Sequence, residues 1–111
     1  MKIAKNLYVS NKIKHKTIVV AKFRVNRFVP GIFVIRLAYD PDNLEIIRAD
    51  LFKQPGLRKP DDRPVVAFAA NYKDAVDIVI DITQKAYDKY GYPAIKEYIS
   101  SDDYGSDTRS S

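Results

Sequence analysis

The residues of this sequence best suited to chemistry are positively charged, and the chemistry they favour is the binding of anions. Residues 1–39 contain six lysines, three arginines and no aspartate or glutamate, which gives +9. Residues 40–111 contain ten lysines and arginines and fourteen acidic residues, which gives −4 and a net charge of +5. Such a basic segment indicates an anionic partner, for example nucleic acid or an acidic protein surface. The alternative is a basic surface that contacts only water.

Other chemistry has less support in the sequence. Asp77 and Asp81 are four residues apart and could share a divalent cation with a third ligand, but pairing of Asp81 with Lys85 is the simpler interpretation. His15, the only histidine, lies between two lysines and has no nucleophile near it in sequence. Phosphate-binding glycine loops, zinc-ligand spacings and nucleophile elbows are absent. The sequence therefore predicts a non-enzymatic protein without a metal or cofactor.

The elements that position the basic residues begin with alternating apolar segments, which are typical of strands. The alternation predicts strands within 17–25, 33–39 and 47–51. The short apolar run 65–70 could form a further strand, and 3–9 a weak one. Turn residues separate the first three segments: Val29-Pro30-Gly31, then Asp40 to Asn43. We expect Gly31 and Asn43 to adopt left-handed backbone conformations in these turns.

One long helix is predicted from about Tyr72 to Tyr90. Asn71 is a suitable N-cap, Gly91 suits the left-handed position after the last turn, and Pro93 prevents continuation. Six residues recur at helical spacing on one side, and we expect this side to be buried: Val76, Val79, Ile80, Thr83, Tyr87 and Tyr90. Residues 92–100 could form a second, short helix.

These elements predict a two-layer α+β fold, in which an antiparallel sheet of three to five strands packs with one face against the 72–90 helix. We expect residues 1–100 to form a single domain and residues 101–111, which are rich in serine, aspartate and glycine, to form a disordered tail. The chain has no cysteine, which suits a cytoplasmic protein. It also has no apolar segment of the roughly 18 residues that a membrane span needs.

Matching the apolar faces of neighbouring strands predicts their register. Leu37 would pair with Ile47, and Phe23 with Leu37. Arg24, Arg36 and Arg48 would then lie side by side on the face of the sheet away from the helix. The proline-rich loop 53–64 could add further cations beside this face. The candidate anion-binding residues are therefore Lys14, Lys16, Lys22, Arg24, Arg36, Arg48, Arg58 and Lys59.

This arrangement favours a small binding protein that engages nucleic acid through a basic sheet face. The predicted outward positions of the strands carry no aromatic residue for base stacking, so contact with the phosphate backbone is the expected mode. The alternative is an interaction or inhibitor protein, of the type carried by phages and other mobile elements, whose basic face binds an acidic partner protein. The sequence does not distinguish these partners and gives no oligomeric state.

Overall fold

The structure is a computed structural model that describes residues 2–40, 42–53 and 63–104. Its elements, in chain order, are β1 (Ile3–Val9), α1 (Lys16–Arg24), β2 (Phe33–Leu37), β3 (Leu44–Arg48), a 3-10 helix (Ala49–Lys53), β4 (Val65–Ala69), α2 (Tyr72–Tyr90) and α3 (Ile95–Ile99). None of these helices combines the length and hydrophobicity that crossing a membrane requires.

The four strands form one sheet in the order β1-β4-β2-β3. The pairs β2–β3 and β2–β4 are antiparallel, whereas the edge strand β1 runs parallel to β4, so the sheet is mixed. Helices α2 and α3 pack on one face of the sheet, and their shared core includes Ile35, Ile82 and Ile95. The predicted α+β fold, with the long helix against one face of a sheet of three to five strands, is confirmed.

Helix α2 begins and ends at the predicted residues because its caps are strong. The Asn71 side chain accepts a hydrogen bond from the backbone N–H of Asp74 at 2.8 Å. The carboxylate of Asp74, itself buried, accepts a hydrogen bond from the backbone N–H of Ala70 at 2.9 Å. At the other end Gly91 has a φ of 79° and donates to the carbonyl of Tyr87, as expected of a left-handed cap.

The predicted buried face of α2 is wrong by about 100°, or one residue around the helix. The residues that face the sheet are Ala75, Ile78, Ile82 and Ala86. Ile80 and Tyr87, which the sequence predicts to be buried, are 60% and 54% exposed. The two alanines explain this orientation, because small side chains let the helix backbone approach the sheet closely.

The segment 17–25 forms helix α1, so the strand predicted there is wrong. Only Val19 and Phe23 of this helix are buried, and they lie four residues apart on one helical face. The Phe23 ring packs 4.5 Å from the ring of Phe68 in β4, measured between centroids. Helix α1 thus covers part of the sheet face opposite α2, in a cluster that also contains Val34 and Phe52.

A left-handed residue ends α1. Asn26 has a φ of 60°, its N–H donates to the carbonyl of Phe23, and the N–H of Arg27 donates to the carbonyl of Lys22 at 2.8 Å. These two bonds form a Schellman motif, which satisfies the last carbonyls of a helix. Gly31 has the expected left-handed φ, 86°, but it lies between α1 and β2 instead of in a hairpin.

The β2–β3 hairpin has a different register from the predicted one. Leu37 pairs with Leu44 instead of Ile47, and Ile35 pairs with Ile46. The Asp40 carboxylate stabilises the turn by accepting hydrogen bonds from the Asp42 backbone and the Asn43 side chain. Asn43 is not left-handed, and the chain leaves the strand at Ala49 to form the 3-10 helix.

The start of the predicted tail packs into the core. Tyr104 is fully buried, and its hydroxyl donates a hydrogen bond to the carbonyl of Val66. Lys89 at the end of α2 pairs with Asp103 at 2.7 Å, and this hydrogen bond raises the pKa of Lys89. Residues 105–111 lie outside the described part of the chain, so for them the tail stays a prediction.

Candidate functional site

The predicted row of three arginines does not form. Arg24 lies on α1, whereas Arg36 and Arg48 lie on opposite faces of the sheet. The strand pairing shows this, since Arg48 pairs with Phe33, which is three residues from Arg36 along β2. Phe33 faces α2, where its ring lies 6.0 Å from the ring of Tyr72. The register that placed the arginines together is therefore wrong.

The Arg36 side chain is buried and interacts with neighbouring residues of the fold. It is 7% exposed, donates a hydrogen bond to Glu45 on β3, and lies with its guanidinium carbon 5.7 Å from the centre of the Phe52 ring. Glu45 also accepts a hydrogen bond from Arg63 at 3.2 Å. The guanidinium of Arg63 in turn covers the ring of the exposed Tyr39 at 3.7 Å. This group closes the end of the hairpin instead of presenting Arg36 to a ligand.

Replacing Glu45 by glutamine is expected to lower the free energy of unfolding by about 1–3 kcal/mol, because two arginines lose a charged acceptor. Urea denaturation at neutral pH measures the change. Asp50→Asn is the matched control: it removes the partner of the exposed Arg48, and surface pairs contribute about 0–1 kcal/mol. Equal effects of the two substitutions would contradict a structural role for the Arg36 group.

Four of the predicted site residues lie together on α1 and the loop before it: Lys14, Lys16, Lys22 and Arg24. Two exposed cations that the prediction omits extend this set, Lys12 in the same loop and Arg27 just after the helix. The acid-free stretch of sequence already contained both. We call these six residues the α1 basic surface. Arg48 lies outside it, and Arg58 and Lys59 lie outside the described residues.

The α1 basic surface is not neutralised by carboxylates of the described residues. The ion pairs found in residues 2–40, 42–53 and 63–104 involve other cations. Lys16 is half-buried and donates to Asn11 at 2.6 Å, while the other five side chains are exposed. Six cations that pair with no carboxylate of the described residues repel one another, and a bound anion would relieve that repulsion.

Apolar side chains lie between the cations on the outer face of α1. At 3.6 residues per turn, Ile18, Ala21 and Val25 lie close together on the side away from the sheet, between Lys22 and Arg24. Ile18 is 55% exposed and Val25 is 64% exposed. The outer face of α1 therefore offers cations around a small apolar centre.

The other candidate groups in the sequence are the aspartates of α2 and His15. Among the described residues, no cluster of three or more His, Asp or Glu side chains could hold a metal ion. His15 is exposed, adopts a left-handed conformation with a φ of 57°, and precedes α1 without capping it through its side chain.

No protein-family model matches the chain, and searches of curated proteins and of solved structures also find no match.

Proposed function

We propose that this protein is a non-enzymatic binding protein that contacts the phosphate backbone of nucleic acid through the α1 basic surface. The observation that carries the proposal is the exposure of five cations around one short helix, with no acidic partner among the described residues. Phosphate contacts supply most of the affinity of sequence-independent binding. This helix surface takes the place of the basic sheet face that the sequence predicts.

The side chains around α1 favour backbone contact over base recognition. Phe23 is buried against Phe68, and Phe28 packs against both Phe23 and Phe52, so these aromatic rings are used in the core. Binding platforms for single strands normally expose such rings for stacking. We therefore expect little sequence preference and a strong dependence on salt.

The test is a titration of labelled single-stranded DNA, duplex DNA and RNA. We expect micromolar dissociation constants at low salt, weakening by about 10²–10³-fold between 50 and 200 mM salt if about five phosphates are neutralised. The double variant Lys22→Gln/Arg24→Gln should weaken binding about 10-fold at the lower salt and reduce the salt slope by about 2, since each cation contributes roughly one phosphate contact.

The matched control is Arg48→Gln/Lys96→Gln, which removes two exposed cations outside the α1 basic surface. It should bind nearly as well as the parent. Failure of the parent to bind any of the three nucleic acids at 50 mM salt, or equal losses in both double variants, would refute the proposal.

The exposed Ile18 and Val25 favour a second candidate, an inhibitor-type protein that covers an acidic region of a partner protein. Protein interfaces combine apolar contacts with arginine, whereas phosphate backbones need only the cations. The variant Ile18→Ser/Val25→Ser separates the two candidates. Unchanged nucleic-acid binding by this variant supports the first, and loss of a captured acidic partner by both this variant and Lys22→Gln/Arg24→Gln supports the second.

A further inference from the structure

Helix α2 carries a second apolar stripe, on the side away from its own sheet. We call Val76, Ile80, Thr83 and Tyr87 the α2 outer stripe. Ile80 is 60% exposed and Tyr87 is 54% exposed, while Val76 and Thr83 are partly exposed. Large exposed apolar residues that line up along one helix mark an interaction surface, unlike apolar residues scattered singly over a protein.

The spacing of the outer stripe fits another helix. Its residues follow one another at intervals of four, three and four, which is the heptad spacing of helix pairs. The buried residues Ile78 and Ile82 point toward the sheet, so Ile80 points almost directly away from it. A second helix laid along this side would meet Ile80 at its centre.

From this stripe and the charges beside it, we propose that two copies of this chain associate through their α2 helices, packed antiparallel about a two-fold axis near Ile80. In this arrangement Val76 packs against Tyr87 of the second copy, and Ile80 against Thr83 and Ile80 of the second copy. The contacts of Val76 with Tyr87 and of Ile80 with Thr83 each occur twice by symmetry, as a two-fold interface requires.

The charges beside the stripe fit this orientation. Lys73, Asp77, Gln84 and Asp88 lie along one side of the outer stripe. Antiparallel packing brings Lys73 beside Asp88 of the second copy and Asp77 beside Gln84 of the second copy, each twice. Lys73 and Asp88 are exposed, and among the described residues their side chains bind those of Asp77 and Gln84, respectively. They therefore remain accessible to the second copy.

Parallel packing fits the same charges poorly. In a parallel two-fold pair, the side of each helix that carries Lys73 faces the opposite side of the second helix, so Lys73 and Asp88 do not meet. This packing also leaves Asp77 and Asp88 next to apolar residues of the second copy. Charge complementarity therefore selects the antiparallel pair.

The inference does not depend on nucleic-acid binding, because α1 and α2 cover opposite faces of the sheet. A single helix pair is a small interface, and small interfaces are at the weak end of specific association. We expect a dimer that dissociates on dilution, with both α1 basic surfaces left exposed.

Sedimentation equilibrium of the full chain tests self-association. The average mass should rise from monomer toward dimer between about 10 and 500 µM, and Ile80→Asp should raise the dissociation constant at least about 10-fold. Ile18→Asp is the matched control, because it places the same charge at an equally exposed apolar residue of α1. A parent that stays monomeric throughout, or an equal loss in the control, would overturn the proposal.

Single-cysteine variants test the orientation, since the natural chain contains no cysteine. Under mild oxidation Ile80→Cys should form a disulfide-linked dimer, and Ile18→Cys should not. A mixture of Val76→Cys and Tyr87→Cys proteins should give mainly the mixed dimer, because these positions face each other in the antiparallel pair. Mainly like-with-like dimers would overturn the antiparallel arrangement.

Discussion

Replacing Tyr104 by alanine is expected to lower the free energy of unfolding by about 3–5 kcal/mol, as for other large buried side chains. Tyr104 is fully buried, packs edge-to-face with Tyr98 at 5.8 Å between ring centroids, and donates its hydroxyl to the carbonyl of Val66 in β4. The side chain thereby connects the end of the described part of the chain to the central strand β4. Denaturation in urea, followed by circular dichroism at low temperature, measures the loss.

Two further variants separate the contributions to this effect. Tyr104→Phe keeps the ring and removes the hydrogen bond, so it should cost about 1–2 kcal/mol. Tyr92→Ala removes an exposed tyrosine from the same part of the chain and should change stability by about 0.5 kcal/mol or less. If Tyr104→Ala were no more destabilising than Tyr92→Ala, residues 101–104 would not pack as the structure has them.

The limits of α2 could be predicted from the sequence because they depend on local chemistry. Asn71 and Gly91 satisfy backbone groups within a few residues of themselves, so their identity alone marks the two ends. The buried face could not be predicted in the same way. Apolar residues occur on two sides of the helix, and the choice between Ile78 and Ile80 depends on which side meets the sheet.

For the candidate site, too, features that depend on neighbouring residues could be predicted from the sequence, whereas features that depend on tertiary contacts could not. The density of cations near α1 is a property of sequence alone, and the structure places four of the eight predicted residues there. The predicted row of arginines depended on the register between strands. That register assumed a strand at 17–25, where the structure has helix α1. Arg36 has its structural role because Glu45 lies opposite it in the hairpin, and the predicted register did not pair these residues.

The secondary structure of segment 17–25 could not be predicted from its composition, because the composition favours a strand whereas the tertiary contacts favour a helix. Ile18, Val19 and Val20 are β-branched, and apolar residues alternate from Val19 to Val25. The signal for a helix was Asn26, which tolerates the left-handed conformation that ends α1. Val19 and Phe23 also have the spacing of one helical face, and these are the residues that the structure buries.

Replacing Phe23 by alanine is expected to cost about 3–5 kcal/mol of unfolding free energy, because Phe23 holds α1 against the sheet. The ring is 1% exposed and lies 4.5 Å from Phe68 and 5.8 Å from Phe28, measured between centroids. Its removal leaves a cavity between the helix and β4 that the neighbouring rings fill only partly. Chemical denaturation gives the magnitude, and hydrogen exchange should show faster exchange of the α1 amides.

The variant that separates helix from strand is Val25→Ala, because a strand would bury Phe23 and Val25 on one face. The helix buries Phe23 and leaves Val25 64% exposed, just past its last turn. Val25→Ala should therefore change stability by about 0.5 kcal/mol or less, whereas a strand would make it cost about 1–3 kcal/mol. A large loss of stability in both variants would support a strand at 17–25, with Phe23 and Val25 packed in one core. A large loss in Phe23→Ala alone would support the helix, and the α1 basic surface depends on that helix.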